Sequence, residues 1–277
     1  IHGDVALLID HVPEKRRLWS PPVILPEERQ PESLIIVEIS DPESPREAGR
    51  FQTKAQAFSI AWPYVYLVGN ESGFQVLDLE NINEPQLILE TSSFSGSDIV
   101  VADKYAYIIN GKDDVSIIDI SRVDQPRFAG EYVMHESPDE NWWDYTETKN
   151  AARKLAISGN YLFVGAIGKD TSGASYPPGL NHHSIEIVDV TDPNNPVGIG
   201  TSFATTFEVI DIVAKDNQLY VVDEALSGHH FVRSLNVFDI SDPKGPERIV
   251  KMATQDEPRG IDVVDDYVYV ADESSVQ

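Results

Sequence analysis

Histidines and acids occur together in a few segments of the sequence, and their side chains could bind a metal ion. Two pairs, His182–His183 and His229–His230, lie in segments that could converge with Asp144 or Glu136. Imidazole and carboxylate ligands suit Zn, Ni or Cu. Because adjacent residues on a strand point to opposite faces, each pair would supply one ligand. The alternative is that these histidines are solvated or pack within their own loops, since no HExxH motif is present.

Aromatic residues offer a second kind of binding chemistry. His135, Trp142, Trp143 and Tyr145 lie within one irregular segment. Tryptophan and tyrosine combine a large apolar area with a polar edge, as glycan and peptide sites require. The alternative is a small satellite core that holds the segment itself together.

Two arginines occupy equivalent positions, Arg153 and Arg259, each eight residues before a tyrosine. A guanidinium group there could bind a carboxylate or phosphate through two hydrogen bonds. The alternative is pairing with nearby acids such as Glu257 or Asp262.

The sequence contains no motif for nucleophilic catalysis or for binding a nucleotide. The sequence contains no GxSxG elbow, Walker A loop or GxGxxG fingerprint. Calcium could bind through Asp113–Asp114 or Asp139–Glu140, although no DxDxDG loop is present. No cofactor is therefore assigned, and calcium or a transition metal stays an alternative.

Charge and composition exclude several classes of binding partner. The 277 residues carry a formal charge of −25 and no cysteine. The charge argues against binding nucleic acid or an anionic membrane, and the absence of cysteine excludes a disulfide scaffold or a thiolate site. Apolar runs such as Leu34–Val37 are far short of the ~20 residues of a spanning helix, so no direct membrane insertion is expected.

The elements that position these residues come from an internal repeat. Five segments alternate aliphatic residues and then share an acid, a turn and a proline; they are 34–45, 74–85, 115–126, 185–196 and 235–246. The acids Glu38, Asp78, Asp119, Asp189 and Asp239 each precede that proline by seven residues. Short Val-, Ile- and Tyr-rich runs precede the later copies, and helical periodicity is absent, so the chain is predicted to be all β.

Each repeat is predicted to form four strands, named a to d, as in 58–61, 64–68, 74–79 and 86–90. A period of ~40 to 45 residues with four strands is typical of a β-propeller blade. We therefore predict one propeller domain over 1–277, made of four-stranded antiparallel blades, four complete and two partial. The predicted blades are 1–53 (partial), 54–94, 95–134, 135–205, 206–255 and 256–277 (partial).

The repeated signature resembles the LVIVD repeat of bacterial and archaeal surface proteins. The copies at 185–196 and 235–246 carry it with the Asp-Pro-x-x-Pro turn, whereas Glu38 replaces Asp in the first copy. The resemblance implies an extracellular or cell-surface propeller without a settled enzymatic activity. Both ends align with the middle of a blade, so we expect a fragment of a propeller that has seven or eight blades by resemblance to the family.

Connection lengths predict a plain end and an elaborated end of the blades. The a-to-b and c-to-d turns are short, whereas the long connections 11–33, 134–152, 168–184 and 224–234 all join b to c or d to a. Six of the seven histidines lie in these long connections. Because a rigid scaffold commonly displays binding groups on its loops, the elaborated end is the predicted ligand surface.

The repeated acid of strand c is predicted to be structural, accepting backbone N–H groups between neighbouring sheets. The Asp-Pro-x-x-Pro segments at Asp41, Asp192 and Asp242 are predicted turns in which Asp bonds ahead to the backbone.

We interpret the chain as a non-enzymatic extracellular module that presents loops to a protein, peptide or glycan. The predicted ligand-binding residues are His135, Trp142, Trp143, Asp144, Tyr145, Arg153, His182, His183, His229, His230 and Arg259. A metal-assisted hydrolase or lyase at the channel mouth is one alternative, and a structural spacer in a large surface protein is the other.

Overall fold

The computed structural model describes residues 3–10, 32–41, 43–134, 136–137, 148–168, 183–205, 208–227, 230–254 and 258–272. These residues form antiparallel sheets, and no helix occurs among them. None of the described segments is therefore a helix with the length and hydropathy of a bilayer span. The predicted all-β fold of four-stranded blades is confirmed.

The chain divides into two compact units, Ile1–Ser95 and Gly96–Gln277. Among its described residues, the first unit contains strands b, c and d of blade 1 and all four strands of blade 2. Their strands are β1 (Val5–Asp10), β2 (Ser33–Glu38), β3 (Arg46–Gln52), β4 (Ala57–Ala61), β5 (Tyr64–Gly69), β6 (Gly73–Asp78) and β7 (Gln86–Thr91).

The second unit contains blades 3 to 6. Blade 3 has β8 (Asp98–Ala102), β9 (Tyr105–Ile109), β10 (Val115–Asp119) and β11 (Arg127–Tyr132). Blade 4 has β12 (Glu136–Ser137), β13 (Thr148–Ser158), β14 (Tyr161–Gly168), β15 (His183–Asp189) and β16 (Val197–Thr205). Blade 5 has β17 (Glu208–Lys215), β18 (Gln218–Ser227), β19 (His230–Asp239) and β20 (Glu247–Ala253), and the two strands of blade 6 are β21 (Pro258–Val264) and β22 (Tyr267–Asp272).

Apolar side chains of successive blades pack against each other. Clusters of buried aliphatic residues join blades 3 and 4, blades 4 and 5, and blades 5 and 6, and a separate cluster joins blades 1 and 2. In the second unit the a-strands β8, β13, β17 and β21 also contact one another in this order. These strands are therefore the inner strands of the unit.

The short a-to-b turns are confirmed. Asp103, Asp216 and Asp265 have φ of 51°, 50° and 51°, and Gly159 has φ of 53° at the equivalent turn. Positive φ at a two-residue turn matches the right-handed twist of the flanking strands, and Asp and Gly tolerate it. The long connections join b to c or d to a, as predicted, so within each unit they leave the same end of the blades.

One of these connections contains more strand than expected. In blade 5, the pairing of β18 with β19 continues through Glu224↔Arg233 to Ser227↔His230. Beyond Glu224 and Arg233 neither β17 nor β20 accompanies these two strands. The connection predicted over 224–234 is therefore a β-hairpin that projects from the sheet.

The repeated acid of strand c has a structural role, but the predicted bonds between sheets are wrong. Asp78, Asp119, Asp189 and Asp239 each accept the N–H two residues ahead, at 2.7, 2.8, 2.9 and 2.8 Å. The hydroxyl and N–H of Ser121 lower the pKa of Asp119. These carboxylates therefore form the c-to-d turn of their own blade.

The Asp-Pro-x-x-Pro turns are confirmed. The carboxylates of Asp41, Asp192 and Asp242 accept the N–H two residues ahead at 3.1, 3.1 and 2.9 Å. Their carbonyl groups accept the N–H three residues ahead.

Two glycines in strand d allow the next blade to approach. The register shifts within the c–d pair of both blades, which marks a β-bulge. A Cβ at Gly49 would overlap the carbonyl oxygen of Ile82, and one at Gly130 would overlap that of Pro193. Both carbonyls belong to the c-to-d turn of the following blade, so only glycine fits there.

Candidate functional site

Most of the predicted binding residues lie outside the described residues. These are His135, Trp142, Trp143, Asp144, Tyr145, His182 and His229. For His183 and His230 the backbone is described, at the start of β15 and of β19. Arg153 and Arg259 are described with their side chains.

The two arginines occupy β-bulges of inner strands, Arg153 midway along β13 and Arg259 as the second residue of β21. The register of β13 shifts between Ala152 and Lys154, and that of β21 shifts between Pro258 and Gly260. Arg153 and Arg259 are the residues skipped by these shifts, and both are exposed. A bulge re-aims a side chain and commonly occurs beside functional sites.

Arg153 pairs with a nearby acid, as the alternative interpretation of the sequence expects. Its Nη1 lies 4.0 Å from Oδ1 of Asp113. The carbonyl of Asp113 accepts the N–H of Ala152 at 3.0 Å, so Asp113 of blade 3 contacts two adjacent residues of β13. The pair is partly exposed, and such pairs contribute about 0–1 kcal/mol.

Three charged side chains occupy the same position in successive inner strands, directly after the position of Arg153 in the sequence. We call them the polar seam. It consists of Asp98 in β8, Lys154 in β13 and Asp211 in β17. Asp98 Oδ2 accepts the N–H of Leu155, in the next inner strand, at 2.8 Å. Asp211 Oδ2 accepts the N–H of Ile261, in the inner strand after its own, at 3.0 Å.

Lys154 completes the polar seam between these two carboxylates. Its Nζ lies 3.8 Å from Asp211 Oδ1. The polar seam therefore contributes a polar contact to each of the joints between blades 3 and 4, 4 and 5, and 5 and 6. An inner strand has no neighbour on one edge, so a carboxylate that accepts its N–H satisfies a donor otherwise left to water.

Burial shifts the titration of these groups. Burial raises the pKa of Asp98 to about 6, although Lys154 and the N–H groups of Leu155 and Ile99 oppose the shift. Burial also raises the pKa of Asp211, against the effect of Lys154. For Lys154, burial lowers the pKa but the two carboxylates outweigh it, so the net direction is upward.

Asp98→Asn tests the titration of the polar seam. Because burial raises the pKa of Asp98 from its ordinary 3.8 to about 6 in the folded chain, its contribution to stability is present below pH 3.8 and is lost as the pH rises through 6. The difference corresponds to about 3 kcal/mol. We expect wild type to gain up to that amount over Asp98→Asn between pH 7 and pH 4, measured by urea unfolding. Asp103→Asn, in an exposed turn, is the control; an equal gain relative to both variants would contradict this origin.

A second buried polar cluster lies at the base of the projecting hairpin in blade 5. Ser234 Oγ donates to Asp223 Oδ1 at 2.5 Å, and Asn236 Nδ2 donates to Asp223 Oδ2 at 3.0 Å. Arg233 pairs with Glu224 one row further along. These cross-strand contacts fix the hairpin at the point where it leaves the sheet.

The described residues include no group of three or more His, Asp or Glu side chains that could hold a metal ion. Of the acids considered for calcium, Asp114 Oδ1 accepts the N–H of Met134 at 2.9 Å, and Asp139 and Glu140 lie outside the described residues. The structure gives Asp114 a hydrogen bond to the backbone of the same blade.

The fold and the sequence matches define the class of protein. Four-stranded meanders that pack face to face, with their inner strands side by side, form a β-propeller. The LVIVD repeat matches the chain at residues 30–53, 95–133, 150–170 and 257–275. The described sheets thus have the β-propeller fold, and four segments of the chain match the LVIVD repeat. The matched ranges include the first and third copies of the repeated segment and leave out the second, fourth and fifth.

Solved structures share the fold at low sequence identity. The WD40 domain of Pan2 from Neurospora crassa is 12% identical with a TM-score of 0.53, over 87% of this chain and 66% of that one. The computationally designed Ika8 protein is 14% identical with a TM-score of 0.50, over 88% of this chain and 76% of that one. None of the curated proteins matches the sequence. At these identities the likeness concerns the fold alone.

Proposed function

We propose that this protein is a non-enzymatic binding module that works outside the cell and presents one end of its blades to a protein, peptide or glycan. The observation that supports it is that the two ends of each blade carry connections of different length. The a-to-b turns are two-residue hairpins, while the long connections leave the opposite end. Variable segments on a rigid scaffold are the usual place for recognition in propellers.

The arginine bulges add a charged component to this surface. Arg153 and Arg259 are exposed at β-bulges of inner strands, next to the residue position of the polar seam. In a protein of charge −25, exposed guanidinium groups at one end of the blades favour a ligand that carries carboxylate or phosphate groups. The extracellular or cell-surface location rests on the resemblance of the repeats to bacterial and archaeal surface proteins.

The alternative hydrolase or lyase needs His135, His182, His229, Asp144 and Arg153 to converge. Only Arg153 of this set lies within the described residues, and it pairs with Asp113.

Glycan and peptide arrays test the proposal. We expect wild type to bind a subset of spots and Trp142→Ala/Trp143→Ala to lose most of that signal, because aromatic anchors dominate such contacts. Arg153→Ala should reduce binding to anionic spots while neutral spots keep their signal. The matched control is Trp62→Ala, at an exposed tryptophan in an a-to-b turn. Equal binding by wild type and the tryptophan double variant, or loss in Trp62→Ala alone, would remove the assignment to the elaborated end.

A further inference from the structure

The connection between strands b and c of blade 2 carries a motif that the binding proposal does not use. Asn70, Glu71 and Ser72 join β5 to β6 and form an Asn-x-Ser triplet, the acceptor pattern for N-glycosylation. No other Asn-x-Ser or Asn-x-Thr triplet occurs among the 277 residues. Because a three-residue pattern also arises by chance, the surroundings of Asn70 and Ser72 decide whether the triplet can serve as an acceptor.

Asn70 is exposed, and its side chain is available for modification. Its backbone N–H donates to Gln56 Oε1 at 3.1 Å, which holds the residue in the turn. The side chain makes no hydrogen bond to any described residue. By contrast, Nδ2 of Asn110 donates to Ser116 Oγ at 3.0 Å and to Glu131 Oε1 at 2.9 Å. A group attached to Nδ2 of Asn70 would therefore displace no hydrogen bond of the described chain.

The hydroxyl of Ser72 has no partner that would explain it. Its Oγ is buried, and no hydrogen-bond partner for it occurs among the described residues. A buried hydroxyl without a partner costs about 1–3 kcal/mol, so alanine would suit the fold at least as well at this position. The acceptor pattern supplies a reason for the hydroxyl, because it requires Ser or Thr two residues after the asparagine.

The folded turn encloses this hydroxyl. Gly69 and Gly73 pair across the hairpin, and a Cβ at Gly69 would lie 2.5 Å from Ser72 Oγ. Outside the turn, Lys54 Nζ pairs with Glu71 Oε2 at 2.7 Å. A transferase can therefore read the hydroxyl only before β5 and β6 pair, whereas the exposed side chain of Asn70 leaves room for a glycan in the folded blade.

We propose that Asn70 is the acceptor of an N-linked glycan, transferred from an oligosaccharide on a lipid phosphate carrier. Nδ2 of Asn70 forms a bond to the anomeric carbon of the sugar, and the bond from that carbon to the phosphate oxygen of the carrier breaks. The lipid phosphate leaves, and one proton of the Nδ2 amide passes to a base of the transferase. This acceptor role rests on the extracellular location in the proposed function, because glycosylated asparagines belong to surface loops of secreted proteins.

Peptide mapping by mass spectrometry, on the protein isolated from its own host, tests the acceptor role. We expect the peptide that contains Asn70 to carry the mass of a glycan, with fragment ions that place it on that residue. Unmodified Asn70 in protein recovered from outside the cell would overturn the glycan alone. Protein confined to the cytoplasm would contradict the location in the proposed function as well, whereas a glycosylated protein that binds no array spot would contradict only the binding role.

Variants of the triplet, produced in the same host, separate the glycan from folding. Asn70→Gln and Ser72→Ala should each lose the whole glycan mass, and Ser72→Thr should keep it, since the pattern accepts either hydroxyl. Glu71→Gln is the matched control, because the pattern leaves the middle residue free. The midpoint of thermal unfolding of Ser72→Ala should be no lower than that of Asn70→Gln. Retention of the glycan in Ser72→Ala, or its loss in Glu71→Gln, would overturn the proposal.

Discussion

Lys154→Met should lower the free energy of unfolding at pH 8 by about 3 kcal/mol, the lower end of the range for breaking a buried ion pair. The lower end applies because the Lys154 side chain is 33% exposed to solvent. The substitution preserves the aliphatic length but leaves Asp98 and Asp211 without the cation between them. Both carboxylates already have a raised pKa, and losing the ammonium raises each pKa further.

The loss should therefore depend on pH in a defined direction. As the pH falls below the raised pKa values, the carboxyl groups take up protons in the folded chain and the repulsion between them disappears. We expect the destabilisation at pH 5 to be a fraction of that at pH 8, in urea titrations followed by circular dichroism.

Two further variants isolate the polar seam. Lys104→Met removes the same charge from an exposed turn and should change stability little. Lys154→Met/Asp211→Asn should recover part of the loss, since one of the two carboxylates is gone. A loss of equal size at every pH, or no recovery in the double variant, would show that packing rather than charge causes the effect.

Gly130→Ala should destabilise the second unit by about 1–3 kcal/mol, the usual cost of forcing extra volume into a packed site. The added Cβ would overlap the carbonyl oxygen of Pro193 and lie 3.2 Å from the Cα of Asn194. Both atoms belong to the backbone of the next blade's turn, so a side-chain rotation cannot relieve the contact. The joint between blades 3 and 4 must open instead.

The control for this prediction is Gly111→Ala. A Cβ at Gly111 meets nothing within 4 Å, and both changes have the same effect on the unfolded chain. Thermal unfolding should separate the two variants, with the lower midpoint for Gly130→Ala. Equal midpoints would mean that the turn at Pro193 moves away at no cost.

The repeat made the fold predictable. A constant seven-residue interval between acid and proline, with strand-length aliphatic runs, indicates the four strands and their order. The sequence predicts a loop where the structure has the hairpin that extends beyond Glu224 and Arg233. Its Ser, Gly and His residues hide the alternation that is typical of strands. The bonding of Asp119 was misassigned for a different reason: an acid with strand-face periodicity can bond ahead along its own chain as easily as across to a neighbour.

The polar seam was not predictable from the motifs. The equivalent position is Ala57, Asp98, Lys154, Asp211 and Gly260 in successive blades, so it has no common residue type. Its charges become partners only when neighbouring inner strands lie side by side. The alternation of acid, base and acid over three repeats was the available signal, since opposite charges at one repeat position favour contact between adjacent copies.

The turn carboxylates also bear on how such an array can grow. Each of Asp78, Asp119, Asp189 and Asp239 closes its turn with atoms from its own copy. A duplicated copy therefore contains all the residues that its own c-to-d hairpin needs. The order of the copies is limited by the inner strands instead. A copy inserted into the polar seam would have to place opposite charges next to those of both its neighbours.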